Sequence, residues 1–143
     1  MAETRAVLDT NVIFAAHRSH GTASPNREIL ERWKAAEFTL LYSEDMLLEY
    51  VEKLLLLGIA EAKIRQFIGS LAGLGERVRI DFFHLRRYPA DKDDIAFLLC
   101  AINGRATHLV TYDSGYAPIA PDCAFAVCPP LDFLVALRAL QAG

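Results

Sequence analysis

Cysteine is scarce: three residues in 143, Cys100, Cys123 and Cys128, an odd number with no Cys-x-x-Cys spacing. This excludes a disulfide framework and a structural zinc site, and it predicts a reducing, cytoplasmic setting. Long apolar runs are also missing. The longest, Met46 to Leu57, is shorter than a bilayer span and is broken by Glu49, Glu52 and Lys53, and the first residues hold no apolar core of signal-peptide length. A soluble protein without membrane association is expected. Positive charge is not in excess either, because 15 Lys and Arg face 18 Asp and Glu for a net charge of −3. A chain of this sign is no passive polyanion binder, so any contact with nucleic acid has to be local. Arg86, Arg87, Lys92 and Arg105 offer one such patch, and His17, Arg18, His20 and Arg27 another. The histidines His17, His20, His84 and His108 are scattered, with no pair at ligand spacing on a helix. Repeats, linkers and low-complexity segments are absent.

What is present is apolar side chain, 53% of the residues, enough for a single domain over 1–143 with its own core. The chain alternates between the two periods of secondary structure. Arg5 to Leu8 reads as a short strand ending at Asp9, with Thr10-Asn11 turning into the apolar stretch Val12 to Ala16 and a polar loop from His17 to Ser24. Ser24-Pro25 is a cap followed by proline at the first helical position, and Ile29, Leu30 and Trp33 recur at helical spacing. Phe38 to Tyr42 is a second strand. Helices follow from Ser43, with Leu47, Tyr50, Val51, Leu54 and Leu55 as the apolar stripe, and from Glu61 to Leu74, with Ile64, Phe67, Ile68 and Leu71 inward. Val78 to Phe82 is expected as a strand. Asp93 or Asp94 opens an almost wholly apolar helix that ends at Asn103-Gly104, and Leu109 to Thr111 and Phe125 to Val127 are strands. Pro129-Pro130 introduces a last helix through Leu140.

Strands separated by helices predict a three-layer α/β/α sandwich with a central, mainly parallel sheet. In such sheets the working crevice lies beyond the carboxyl ends of the strands. Asp9 and Asp113 each follow an apolar strand directly, so both belong at that edge. Each also suits a turn or a helix cap. Asp94 opens the apolar helix, where a carboxylate is favoured by the helix dipole and where Asp91 and Asp93 compete for the capping role. Glu49 shares an acidic stripe with Asp45 and Glu52 and is equally explained as solvated surface.

Gathered together, such acids repel. Two unit charges about 6 Å apart cost roughly 3 kcal/mol at an effective dielectric of 20, unless a proton or cation lies between them. A hard divalent ion, Mg²⁺ or Mn²⁺, suits an all-oxygen set and can activate water against a phosphodiester.

Four ordered pieces carry a resemblance: Val7-Leu8-Asp9-Thr10-Asn11-Val12, the helix Leu47-Leu48-Glu49-Tyr50-Val51-Glu52-Lys53-Leu54, the helix start Asp93-Asp94-Ile95-Ala96-Phe97, and Leu109-Val110-Thr111-Tyr112-Asp113. In order and approximate separation they resemble the PIN domain family, in its small toxin-like, VapC-type ribonucleases, over nearly the whole chain. The resemblance implies an endoribonuclease using Mg²⁺ or Mn²⁺, commonly the toxin of a toxin–antitoxin pair, with RNA as substrate and an antitoxin protein as partner. It makes Asp9, Glu49, Asp94 and Asp113 the catalytic, metal-holding acids. Thr10 or Asn11 would orient Asp9, and Thr111 would be the hydroxyl residue beside Asp113. One departure stands out: family members often carry an aspartate two residues after the one matching Asp113, and this chain has Gly115.

The stripe Leu47, Leu54 and Leu55 with Ile64 and Phe67 is mostly core, and a helical hairpin this apolar also suggests a homodimer or antitoxin surface. Two other classes compete with the nuclease. One is a PIN-like module that binds RNA or protein without cutting. The other is a phosphotransfer enzyme with Asp9 as nucleophile, disfavoured because Asn11 occupies the place of its second acid and no lysine sits in an obvious assisting position.

Overall fold

The computed structural model describes residues 3–18, 24–82 and 84–143; His20 and Gly21 of the expected polar loop lie outside that set. Strands β1 (Arg5–Leu8), β2 (Thr39–Tyr42), β3 (Glu76–Arg77), β4 (His108–Val110) and β5 (Ala126–Cys128) form one sheet in the order β3-β2-β1-β4-β5. Every pairing is parallel. Parallel strands need covered faces on both sides, and Ala6, Val7 and Leu8 of the central strand are accordingly all buried.

The helices are α1 (Thr10–Arg18), α2 (Pro25–Lys34), α3 (Glu44–Leu56), α4 (Glu61–Leu74), α5 (Asp94–Asn103) and α6 (Pro130–Ala142). From β1 the chain steps outward through β2 to β3, then returns across the sheet to β4. With right-handed crossovers this reversal puts α5 on the opposite face from the helices that precede it. Helix α5 lies against β1, β2 and β4, α4 against β2 and β3, and α6 against β4 and α2. The result is a three-layer sandwich whose strand order reverses between β1 and β4.

Local chemistry explains most boundaries. The Ser24 hydroxyl accepts the Arg27 N–H and Pro25 occupies the first turn of α2. Ser43 caps α3 in the same way through the Met46 N–H. Gly58 turns the chain out of the α3 region at φ 87°, a conformation that favours glycine. Inside, Trp33, Tyr50 and Phe67 meet edge to face, and Phe97 completes the cluster against Tyr50.

Three expectations are corrected. Thr10-Asn11 is no turn: α1 starts at Thr10, because the Asp9 carbonyl already accepts the Val12 and Ile13 N–H groups. The strand expected over Val78 to Phe82 is not there; the edge strand lies just before it, at Glu76–Arg77. Beyond the bond from Val78 N–H to the Tyr42 carbonyl, the Asn103 side chain takes over, accepting from Asp81 and Phe82 N–H at 3.0 and 2.9 Å. In the α3 stripe, Met46, Tyr50 and Leu54 are buried, whereas Leu55 is half exposed.

Candidate metal centre

The sheet register builds the site. Leu8 pairs with Val110 across β1 and β4, and the ladder continues one step, with Asp9 N–H bonded to the Val110 carbonyl at 3.0 Å. Asp9 therefore stands beside Thr111 at the point where the strand order reverses, the position at which parallel sheets open a crevice. The Thr111 hydroxyl donates to Asp9 Oδ2 at 2.6 Å and accepts the Asp113 N–H at 2.9 Å. One side chain thus fixes two acids. The Thr10 amide donates to Asp9 Oδ1 at 2.8 Å, and the Gly115 amide donates to Asp113 Oδ1 at 2.8 Å.

Asp94 arrives from the other face, in the first turn of α5. Its capping explanation fails, because Asp93 N–H is taken by the Asp91 carboxylate and Asp94 Oδ2 is buried with no hydrogen-bond partner. Asp9, Asp94 and Asp113 each offer a carboxylate oxygen, and these oxygens all lie within 4.8 Å of one another. Asp9 and Asp94 are each only 5% exposed. Asp9 immediately precedes α1, Asp94 opens α5 and Asp113 caps the short turn Ser114–Tyr116, so each sits where backbone N–H groups point outward and favour negative charge.

That help does not offset the crowding. Burial, then the proton-sharing contact with Asp113 and the nearby Asp9 charge, push Asp94 up to about 8. Burial also raises Asp9, against the lowering effect of its bonds from Thr111 and Thr10. Beneath the acids, Tyr116 is fully buried with its hydroxyl 3.4 Å from the Asp94 carbonyl oxygen, and Tyr50 donates to the Leu8 carbonyl. These two phenols hold the backbone that presents the carboxylates.

Glu49, expected as a fourth acid, is not among the three carboxylates brought together. Its place on α3 turns it toward Asp93: burial first, then the Asp93 charge, raise its pKa, and one of its oxygens is buried without a partner. Lys53, one turn further along α3, bonds Asp93 at 3.0 Å and contributes an attractive charge to both Glu49 and Asp9. Lys53 is thus held on Asp93 and reaches Asp9 only through its charge, the smallest of the influences on that acid. The legible signal was its spacing, four residues from Glu49 on a helix. Asn11 is exposed and makes no bond to Asp9; Thr10 holds that acid through its amide and not its hydroxyl. The Gly115 position is tight as well. A Cβ there would lie 3.1 Å from Asp113 Oδ1, so a side chain at 115 would press on the carboxylate that the glycine amide now holds.

Three convergent acids, an orphaned buried oxygen and an all-oxygen donor set fit a hard divalent cation. A family model for the PIN domain matches residues 5–115, which span all three acids and strands β1 to β4. The chain belongs to the PIN domain family. PIN domains are commonly nucleases that use divalent metal ions, and the acidic cluster stands at the reversal between β1 and β4, where Asp9 and Asp113 follow the two strands and Asp94 comes from α5. No curated protein matches the chain. Among the described residues, no helix of this PIN domain is long and apolar enough to cross a membrane.

Proposed function

We propose that this PIN domain is a metal-dependent endoribonuclease, hydrolysing RNA phosphodiesters at the edge formed by Asp9, Asp94 and Asp113. The observation that carries the reading is the unpartnered, buried Asp94 Oδ2 aimed among carboxylates no more than 4.8 Å apart. Such a group is unstable as three anions, and a divalent cation is the compensation its oxygen chemistry favours. Mg²⁺ or Mn²⁺ bound there supplies charge neutralisation for a phosphate and a lowered pKa for a water.

The protein's own share is positioning. Thr111 keeps Asp9 and Asp113 at a fixed separation, and the Gly115 amide locks the rotamer of Asp113. Asp94 completes the set and gives up its proton when a cation takes the proton's place. Glu49 lies beside Asp93, whose charge Lys53 balances. Gly115 leaves no second acid after Asp113, so the site favours one tightly held ion.

The reading extends to a cytoplasmic toxin of a toxin–antitoxin pair. An antitoxin would cover the acidic edge, and a second copy of the chain would cover the exposed leucines Leu48, Leu56 and Leu57 of α3 and its C-terminus. The decisive test is cleavage of a single-stranded RNA with Mn²⁺ or Mg²⁺ and with EDTA, using wild type, Asp9→Asn and Asp94→Asn. Metal-dependent cleavage that both variants lose is the expected result; equal cleavage by all three proteins rejects the site.

A further inference from the structure

A negatively charged protein that handles RNA has to concentrate its cations along the strand's path. Eight of the fifteen lysines and arginines pair with carboxylates among the described residues: Arg5, Arg32, Lys53, Arg65, Arg77, Arg79, Arg87 and Arg138. Lys34 and Lys63 are different. Among the described residues neither forms an ion pair, and both line one polar groove of about 420 Å³ between α1, α2 and α4, together with His17 and Arg27. Glu31 is its only acid. Glu28, which would otherwise add a second negative charge on α2, is occupied by Arg32 and Arg138.

The groove is connected to the acidic centre by a specific contact. Asn26, adjacent to Arg27 on α2, is 5% exposed, and its Nδ2 donates to the Tyr112 hydroxyl at 2.8 Å while its Oδ1 is buried and unpartnered. Tyr112 precedes Asp113, and its side chain is 53% exposed. An aromatic ring with an open face, tethered at its hydroxyl, next to a phosphodiester-cleaving centre, is a platform on which a base stacks. From Asn26 to Lys34 helix α2 runs about 12 Å, the reach of a few nucleotides.

We propose that single-stranded RNA crosses this protein in one direction from the acidic centre, stacking a base on Tyr112 and laying its following phosphates in the groove of His17, Arg27, Lys34 and Lys63. Asn26 is a positioning residue that holds the Tyr112 ring. The proposal rests on the nuclease reading for its substrate, yet binding in EDTA is measured independently of cleavage.

The test uses the full chain in EDTA and a fluorescent, mixed-sequence single-stranded RNA that carries 2-aminopurine, titrated at several salt concentrations. Lys34→Glu combined with Lys63→Glu is expected to weaken binding about tenfold or more and to flatten the slope of log affinity against log salt by about 1.4, the value for two lost phosphate contacts on a single strand. Tyr112→Ala should weaken binding about tenfold and abolish 2-aminopurine quenching, whereas Tyr112→Phe, which keeps the ring but loses the bond from Asn26, should only reduce the quenching, to the level of Asn26→Ala. Asn26→Ala should reduce the quenching, and Asn26→Asp should restore part of it by accepting from the Tyr112 hydroxyl. Duplex RNA of the same length should bind more weakly than the single strand. Unchanged affinity and salt slope in the double lysine variant overturn the proposal, as does a loss confined to Arg86→Glu and Arg105→Glu, which would put the strand on the opposite face. If wild type binds through these residues but cuts nothing in Mn²⁺, the path stands and the nuclease reading falls; if it cuts while the variants bind normally, the reverse holds.

Discussion

Replacing Asp94 with asparagine in the metal-free protein tests the electrostatics of the acidic centre without reference to any activity. Two unit charges 4.8 Å apart at an effective dielectric of 20 repel by about 3.5 kcal/mol, so a fully ionised triad is costly and Asp94 instead keeps its proton, with a pKa of about 8 against 3.8 for the free side chain. The sign follows from linkage: the folded state binds a proton that the unfolded state has released, so this carboxyl's stabilising contribution is complete below pH 3.8 and drains away as pH rises to about 8. At pH 7 the loss is about 3.2 pH units times 1.36, or about 4 kcal/mol, which is the ceiling for what Asp94→Asn can recover. With relaxation of the site, a gain of about 2 kcal/mol is expected, close to 7 °C in Tm for a domain of this size. Thermal unfolding in EDTA at pH 4.5, 6, 7 and 8.5 reads it directly. The difference between variant and wild type should grow from near zero at pH 4.5 to its maximum at pH 8 and above, and saturating Mn²⁺ should reverse the order by stabilising wild type more. A variant that is less stable than wild type at every pH, or a difference that does not change with pH, would refute the reasoning.

The same proton makes metal affinity pH-dependent: apparent Mn²⁺ binding should strengthen about tenfold per pH unit from 6 to 8, with calorimetry in two buffers recording release of one proton, and should level off above 8. Thr111→Val removes the hydroxyl that joins Asp9 to Asp113, and it is expected to cost about 1 to 3 kcal/mol of stability and to lower Mn²⁺ affinity about tenfold or more, measured by chemical denaturation and titration. Tyr50→Phe leaves the buried Leu8 carbonyl without this donor, for a loss of about 1 to 2 kcal/mol in urea unfolding. Gly104→Ala places a methyl 2.8 Å from Val78 Cγ2 and 2.9 Å from the Cys100 carbonyl oxygen, so about 1 to 3 kcal/mol of destabilisation is expected by the same assay.

The site is a balance of two opposed demands. Burial at the sheet edge excludes water from Asp9 and Asp94, which would strengthen their hold on a bound cation and equally strengthens their mutual repulsion. The PIN domain handles this by giving Asp9 and Asp113 backbone donors, from Thr10 and Gly115, and by placing Asp94 in the first turn of α5. Those donors moderate the repulsion at Asp9 and Asp113, while at Asp94 burial first, and then the neighbouring acids, keep the carboxyl raised.

The amino-acid sequence by itself determined the elements that depend on neighbours in the chain. Ser24-Pro25 and Ser43 set the starts of α2 and α3, the apolar runs Ala6-Val7-Leu8 and Leu109-Val110 marked β1 and β4 as strands, and the placement of Asp9 and Asp113 after them followed from that pattern. These are short-range effects of capping, period and backbone restriction, so a linear reading suffices. Tertiary structure alone decided the rest, because it depends on register and on which way a helix is turned. The pairing of Leu8 with Val110 made Thr111 the shared anchor of two acids, a contact across 102 positions of chain. The rotation of α3 sent Glu49 toward Asp93 and Lys53 and left the carboxylate group at three, and the Asn103 side chain, not a neighbouring strand, took the N–H groups of Asp81 and Phe82. Helical periodicity lists the residues on a face; only packing against the neighbouring elements fixes the direction in which that face points.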